Sequence, residues 1–352
     1  MRSCRADEDG PVFAGMNREV STVASRETNG WSVMGTGTIA TEHMVAAIRS
    51  MGHEPRWVVS RNREYARCFS ADTGIPCAAT DARRALRDET VGFVYVSAVR
   101  DRRKHYISAA CAAGKHILCD GPVSGSSKGA GDLVLQCEQA GVMLALNQPH
   151  RASTIHQTMR RLLREGEIGR LQSVLVVRGA PFHPPPNRRS EDEGKEGEIL
   201  LDLSVDDIDL ARFLTGEEPR EVTVLPGISA VTAQQQIAYN VRMTGDVIFQ
   251  AYESFSAAEF ESIVMLAGDH GALIAHGTLN GKGPCILMRR MNGRNELTPV
   301  RERDPYHATI ENFLASLRRP SGWLCRGRDN VVALRTVEAI AEADRKRRAV
   351  RL

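Results

Sequence analysis

The chain has 352 residues, enough for two domains of ordinary size that each bury a core of their own. A hydrophobic fraction of 42% beside 25% charged residues is that of a water-soluble globular protein, and no run of about eighteen apolar residues offers a membrane span. The net charge of +3 is too small to point to nucleic acid, and the 8 scattered cysteines form neither a metal spacing nor a disulfide framework, so reduced thiols in a cytoplasm are expected.

Residues 1–30 mix charges with small polar groups, lack the apolar centre of a secretory signal, and are expected to form a flexible arm. From Trp31 to about Asn147 the apolar runs WSVM, RWVVS, GFVYVSA, KHILCD and VMLALN alternate with helical stretches. Two of these are Ile39 to Met51, with apolar residues at Ile39, Val45, Ile48 and Met51, and Arg102 to Ala113, ended by Gly114. Such alternation predicts an α/β unit over 31–149, a doubly wound parallel sheet of the Rossmann type.

Gly35-Thr36-Gly37-Thr38-Ile39-Ala40 follows the first strand and opens the first helix. The first glycine permits the tight turn, the second lets backbone amides approach a diphosphate, and Ala40 lets helix and strand pack closely. The helix start then favours the phosphate charge. After the second strand, Ser60-Arg61 stands where a carboxylate would select NAD(H). A hydroxyl and a guanidinium can accept a 2′-phosphate there, so NADP(H) is expected in preference to NAD(H).

Beyond residue 150 the texture changes, and 150–352 is expected to form a second, α+β domain for substrate and assembly. A helix at Thr154 to Glu165, closed by Gly166, leads to strand LQSVLVVRG and then to a loop rich in proline and charge over 181–198. A helix over 199–214 precedes strand-like stretches at 220–226, 237–243, 246–253, 260–267, 271–277 and 284–290. Tight glycine-containing connections at 244–246 and 268–271 read as hairpins, which predicts an open, largely antiparallel sheet with helices on one face. The last helix, Asn330 to Arg347, closes the chain.

Asp202, Asp206 and Asp209 fall at i, i+4 and i+7 and share one helix face, where mutual repulsion should hold one carboxyl protonated to a higher pH. The alternative is a solvated acidic face balanced by arginines. A metal on these carboxylates lacks further ligands, and none is expected. His150-Arg151 follows the sixth strand, offering a proton donor and a holder for an anionic substrate group, and His183 lies in the proline-rich loop, where it could belong to a lid.

The segment AACAAGKHILCDGPVSGS (109–126) resembles the fourth-helix-to-fifth-strand segment of the Gfo/Idh/MocA oxidoreductases, typically AGKHVLCEKP. GTGTIA at 35–40, Arg151, EGEIGRLQSV at 165–174 and GEILLDLSVDDIDLARFLTG at 197–216 agree in order. The resemblance implies a cofactor site that includes Ala98, Asp120 and Gly121, an acidic helix face turned toward the nicotinamide, substrate contacts from Arg151, His183 and Asp209, and a homodimer or homotetramer through the C-terminal sheet. It also marks departures. Gly121 stands at the position of the family's lysine, Asp206 at that of its helix histidine, and Ala98-Val99-Arg100 replaces a Thr-Pro-Asn segment. Hydride transfer to a ketone builds an alkoxide that needs a positioned acid, and Asp206, with Asp202 or His150 beside it, is the candidate.

Two functions follow. One is an NADP(H)-dependent oxidoreductase acting on a sugar, a nucleotide-linked sugar, or an imine or conjugated double bond. The other is a protein that binds the cofactor without redox turnover, either an elimination or cyclisation catalyst or a regulatory partner.

Overall fold

Two sheets organise this computed structural model, whose described residues are 28–180, 199–225, 236–257, 260–279, 284–319 and 322–352. The first sheet contains β1 (Gly30–Met34), β2 (Glu54–Val59), β3 (Cys77–Ala79), β4 (Val91–Val96), β5 (His116–Asp120) and β6 (Leu144–Asn147). Its order is β3-β2-β1-β4-β5-β6, with every pairing parallel. All of β1 and nearly all of β4 are buried, which is why these strands read as continuous apolar runs and not as alternating ones. Chain direction switches sides between β1 and β4, and the carboxyl ends of those strands open a crevice.

Helices α1 (Val45–Ser50), α2 (Arg63–Thr73), α3 (Ala82–Leu86), α4 (Arg100–Ala112) and α5 (Ser127–Gln139) connect these strands. A π-helical turn at Ala40–Met44 precedes α1, and α4 starts two residues before the sequence suggested. Gly30 belongs to β1, so the ordered domain begins inside the segment expected to be a flexible arm, while residues 1–27 lie outside the described residues.

The second sheet is reached through α6 (Pro149–Ala152) and α7 (Thr154–Arg164). It comprises β7 (Leu171–Gly179), β8 (Pro219–Val224), β9 (Gln236–Met243), β10 (Ile248–Ser254), β11 (Ile263–Gly268), β12 (Gly271–His276), β13 (Ile286–Met291), β14 (Arg294–Leu297) and β15 (Val350–Arg351). Their order is β14-β13-β12-β11-β7-β10-β9-β8-β15, and β7 with β10 is the parallel pair in an otherwise antiparallel sheet. Buried and more exposed residues alternate along β9, so one face of the sheet is covered and the other is open. A π-helical turn at Leu200–Ser204 opens α8 (Val205–Thr215), which packs with α10 (Gly327–Lys346).

Helix α9 (Pro305–Ser316) and α10 return to the first sheet. Phe313 of α9 packs its ring centroid 5.5 Å from that of Trp31 of β1, tilted by 50°, and the Leu146 amide of β6 donates to the Cys325 carbonyl at 2.9 Å. Neither α9 nor the short strands β3, β14 and β15 has a counterpart among the expected elements. Thr309, Asn312 and Ser316 interrupt the buried face of α9 and blur its apolar period, while RNEL and VR are too short and polar to carry one.

Candidate active site

At the end of β1 the chain turns through Gly35, whose φ of +106° lies in the region that L side chains rarely adopt. A Cβ there would meet Ala98 N and Ser97 C at 2.5 Å, and one on Gly37 would meet Ser97 Oγ at 2.6 Å. Both glycines are therefore required by the close approach of this turn to the end of β4. No side chain caps the helical segment at Ile39, so its leading amides are left for a ligand, and Thr38 and Ile39 are exposed. This donor set fits a diphosphate. Two exposed apolar side chains, Ile39 at 38% and Val99 at 49%, flank the turn and offer cover to a planar ring.

The Gly35 amide donates to the Val59 carbonyl at 2.9 Å, which ties the turn to the end of β2. There Ser60 is buried, its amide donating to the Ala79 carbonyl at 3.1 Å, while Arg61 is exposed. Asp120, at the end of β5, accepts from Tyr95 Oη at 2.5 Å and from Asn147 Nδ2 at 3.1 Å through one oxygen.

The π turn and α8 bring Asp202, Asp206 and Asp209 to the seam between the two sheets, and each finds a different partner. Asp202 pairs with Arg100 at the start of α4. Arg151 donates Nε and Nη2 to the two oxygens of Asp209 at 2.6 and 2.5 Å, and the pair is nearly inaccessible. As placed, Arg151 and Asp209 are occupied with each other and do not face an open cleft. Asp206 accepts from Gln148 Nε2 at 2.9 Å and lies beside Gly121.

The Asp206 carboxyl is pushed up to about 6. Burial is the main cause, the neighbouring carboxylates of Asp207 and Asp209 add to it, and Arg178 and Gln148 oppose it. Repulsion among the three acids was the expected cause. It is secondary because Asp202 and Asp209 each have a guanidinium at hand.

Beneath Asp206 runs a buried polar layer. Arg178 of β7 donates to Asp207 Oδ1 at 3.1 Å, and Glu253 of β10 accepts from Tyr239 Oη at 2.7 Å and from Ser204 Oγ. Burial and the Asp207 charge hold the Glu253 carboxyl well above the usual carboxylate range. Burial, Arg178 and His156 push His150 well below its ordinary value, so it is a neutral imidazole at neutral pH and a poor source of the proton an alkoxide needs. His183 lies outside the described residues.

Gln148, Arg178, Asp207 and Glu253 went unmarked in the sequence. No motif flags a glutamine at a strand end. Arg178 did carry a signal, since it continues the inward positions Val174 and Val176 as a lone charge on an apolar strand face.

The oxidoreductase family with an NAD-binding Rossmann fold matches residues 30–148, and the GFO/IDH/MocA C-terminal domain matches residues 156–274. The chain belongs to the Gfo/Idh/MocA oxidoreductase family. Among its relatives in the family, a 1,5-anhydro-D-fructose reductase of Ensifer adhaerens is 28% identical, over 90% of this chain and 96% of that protein. A D-xylose 1-dehydrogenase (NADP(+)) of Haloferax volcanii is 22% identical, over 92% of this chain and 99% of that one. The fold is shared with a solved aldose-aldose oxidoreductase from Caulobacter crescentus, at a TM-score of 0.81 and 20% identity over 92% of this chain and 99% of that one.

Proposed function

We propose that this Gfo/Idh/MocA protein is an NADP(H)-dependent oxidoreductase acting on a small polar substrate of the sugar class, with Asp206 as its proton carrier. The carboxyl of Asp206, lifted to about 6 and placed beside Gly121, carries this reading. The two relatives named above, a sugar reductase and an NADP(+)-dependent sugar dehydrogenase, support the substrate class. Bound at the Gly35 to Ile39 turn, the cofactor supplies or accepts a hydride. Ser60 and Arg61 meet its 2′-phosphate.

In the reductive direction the neutral Asp206 gives its proton to the oxygen that gains charge as the carbonyl is reduced. Gln148 donates to Oδ1, which leaves Oδ2 to carry that proton. In the oxidative direction the carboxylate takes the hydroxyl proton back. The open face of the nine-stranded sheet suits a homodimer or homotetramer, which sedimentation of the purified protein checks.

Following NADPH absorbance while carbonyl, imine and enone substrates are supplied tests the activity. Oxidation with an aldose or ketose is the expected result. Tight NADPH binding with no oxidation by any class would replace this reading with a cofactor-binding protein without redox turnover, the alternative motivated by Gly121 and Asp206 at the two catalytic positions.

A further inference from the structure

Arg178 follows Val174 and Val176 on the covered face of β7, is 9% exposed, and donates Nη1 to Asp207 Oδ1 at 3.1 Å. Its Nε is buried with no hydrogen-bond acceptor among the described residues. A guanidinium that served only to hold Asp207 would use more of its donors, and a buried ion pair is a weak source of stability because both charges leave water. Stability alone therefore does not account for a cation at this place.

The other ionisable groups around Asp206 are matched or neutral. Asp202 pairs with Arg100, and Asp209 pairs with Arg151. Glu253 of β10 accepts from Tyr239 of β9 and from Ser204, and burial with the Asp207 charge disfavours its charged form. His150 of α6 is neutral, and burial pushes His156 of α7 down to about 4. Gln148 and Gly121, which lie against the Asp206 carboxyl, carry no charge. Arg178 is the cation whose field favours a charged Asp206, with Asp207 and Asp209 opposing it. When Asp206 gives up its proton, a carboxylate forms out of water, where a nearby guanidinium acts on it far more strongly than it would in solvent.

We propose that Arg178 is a positioning residue for the proton transfer: held by Asp207, it stabilises the Asp206 carboxylate that forms as the proton leaves and that takes the hydroxyl proton in the reverse direction. This role rests on the reading of Asp206 as the proton carrier.

Carboxyl-carbon NMR of the full chain, with the Asp206 resonance identified by its loss in Asp206→Asn, follows the protonation of Asp206 without turnover, and the pH profile of NADPH oxidation follows it in the reaction. Arg178→Met is expected to raise both inflections by about one pH unit or more. Arg178→Lys, which keeps the charge, should leave them close to their wild-type place, and Glu253→Gln should not move them. Where Arg178→Met does not fold, Arg178→Met/Asp207→Asn removes both members of the ion pair and takes its place. Its inflections should also rise, by less, because the opposing Asp207 charge is removed as well. An Asp206 resonance that titrates at the wild-type pH in these variants, even with turnover lost, overturns the proposal and leaves Arg178 a structural residue. A resonance that moves as expected in a protein that oxidises NADPH with no substrate class would support the link between Arg178 and Asp206 while overturning the proton-carrier reading.

Discussion

A Cβ built on Gly121 would lie 3.9 Å from Asp206 Oδ1 and 3.4 Å from Gln148 Nε2, so Gly121 at the end of β5 and Asp206 of α8 face each other across ordinary contact distance. With no side chain on Gly121, the carboxyl of Asp206 is the titratable group at that spot, and its burial sets the pH at which it gives up a proton.

Asp206→Asn is therefore expected to lower turnover by about 10²–10⁴-fold while NADPH affinity stays unchanged, measured by single-turnover absorbance and by calorimetry. In the wild type the reductive rate should fall as pH rises through about 6, because the acid must be protonated, and the oxidative rate should rise over the same interval. A pH profile in the variant with the same inflection would remove Asp206 from the mechanism.

The same shift makes a statement about stability. An acid whose folded value is raised from 3.8 to about 6 binds its proton more tightly in the native state, so its own contribution to stability is fullest below pH 3.8 and is lost as pH rises through about 6. Asp206→Asn removes that cost and should stabilise the protein above pH 6 by on the order of 2–3 kcal/mol, an advantage that vanishes near pH 4. Urea denaturation across that range is the check.

Arg151 and Asp209 form a buried bidentate pair, and deleting one partner leaves the other's charge with only a longer contact, Arg151 to Asp329 at 3.5 Å or Asp209 to Arg212 at 3.9 Å. Asp209→Ala should cost about 3–5 kcal/mol in chemical denaturation, and Arg151→Met/Asp209→Leu should recover most of it. Equal losses in the single and double variants would show that packing, not the stranded charge, sets the cost. Burial and the Asp207 charge disfavour the charged form of Glu253, so Glu253→Gln, which keeps a neutral hydrogen-bonding head, should change stability by less than about 1 kcal/mol.

The two glycines of the cofactor turn should separate by substitution. Gly35→Ala meets backbone atoms at 2.5 Å and a positive φ, and is expected to destabilise the fold by about 1–3 kcal/mol. Gly37→Ala meets the Ser97 hydroxyl at 2.6 Å and the Ser97 carbonyl oxygen at 2.9 Å but needs no positive φ, so it should cost less stability than Gly35→Ala while weakening NADPH by about tenfold. Fluorescence titration paired with thermal unfolding distinguishes the two.

Arg61→Ala should weaken NADPH by about tenfold and leave NADH binding unchanged, since the exposed guanidinium has a 2′-phosphate to meet in the first ligand alone. An equal loss for both nucleotides would count against a phosphate contact by Arg61.

The architecture was legible in the sequence because it rests on local order. Alternating apolar runs and helices, the glycine turn at Gly35 and Gly37, and the hairpin connections at 244–246 and 268–271 are all written within short stretches of chain, and β1, β2 and β4 to β13 lie within a few residues of where those signals place them. Helix α9 escaped notice because part of its buried face is polar, which hydrophobic periodicity does not register.

The acidic face of α8 shows the opposite division. Spacing alone put Asp202, Asp206 and Asp209 on one side of a helix, and by that measure the three were alike. Only the tertiary structure told them apart, because Arg100, Gln148 and Arg151 arrive from other elements as many as 102 residues away in sequence. A carboxyl's proton affinity depends on how much water surrounds it and which charges reach it, and neither quantity exists until distant segments close around the group.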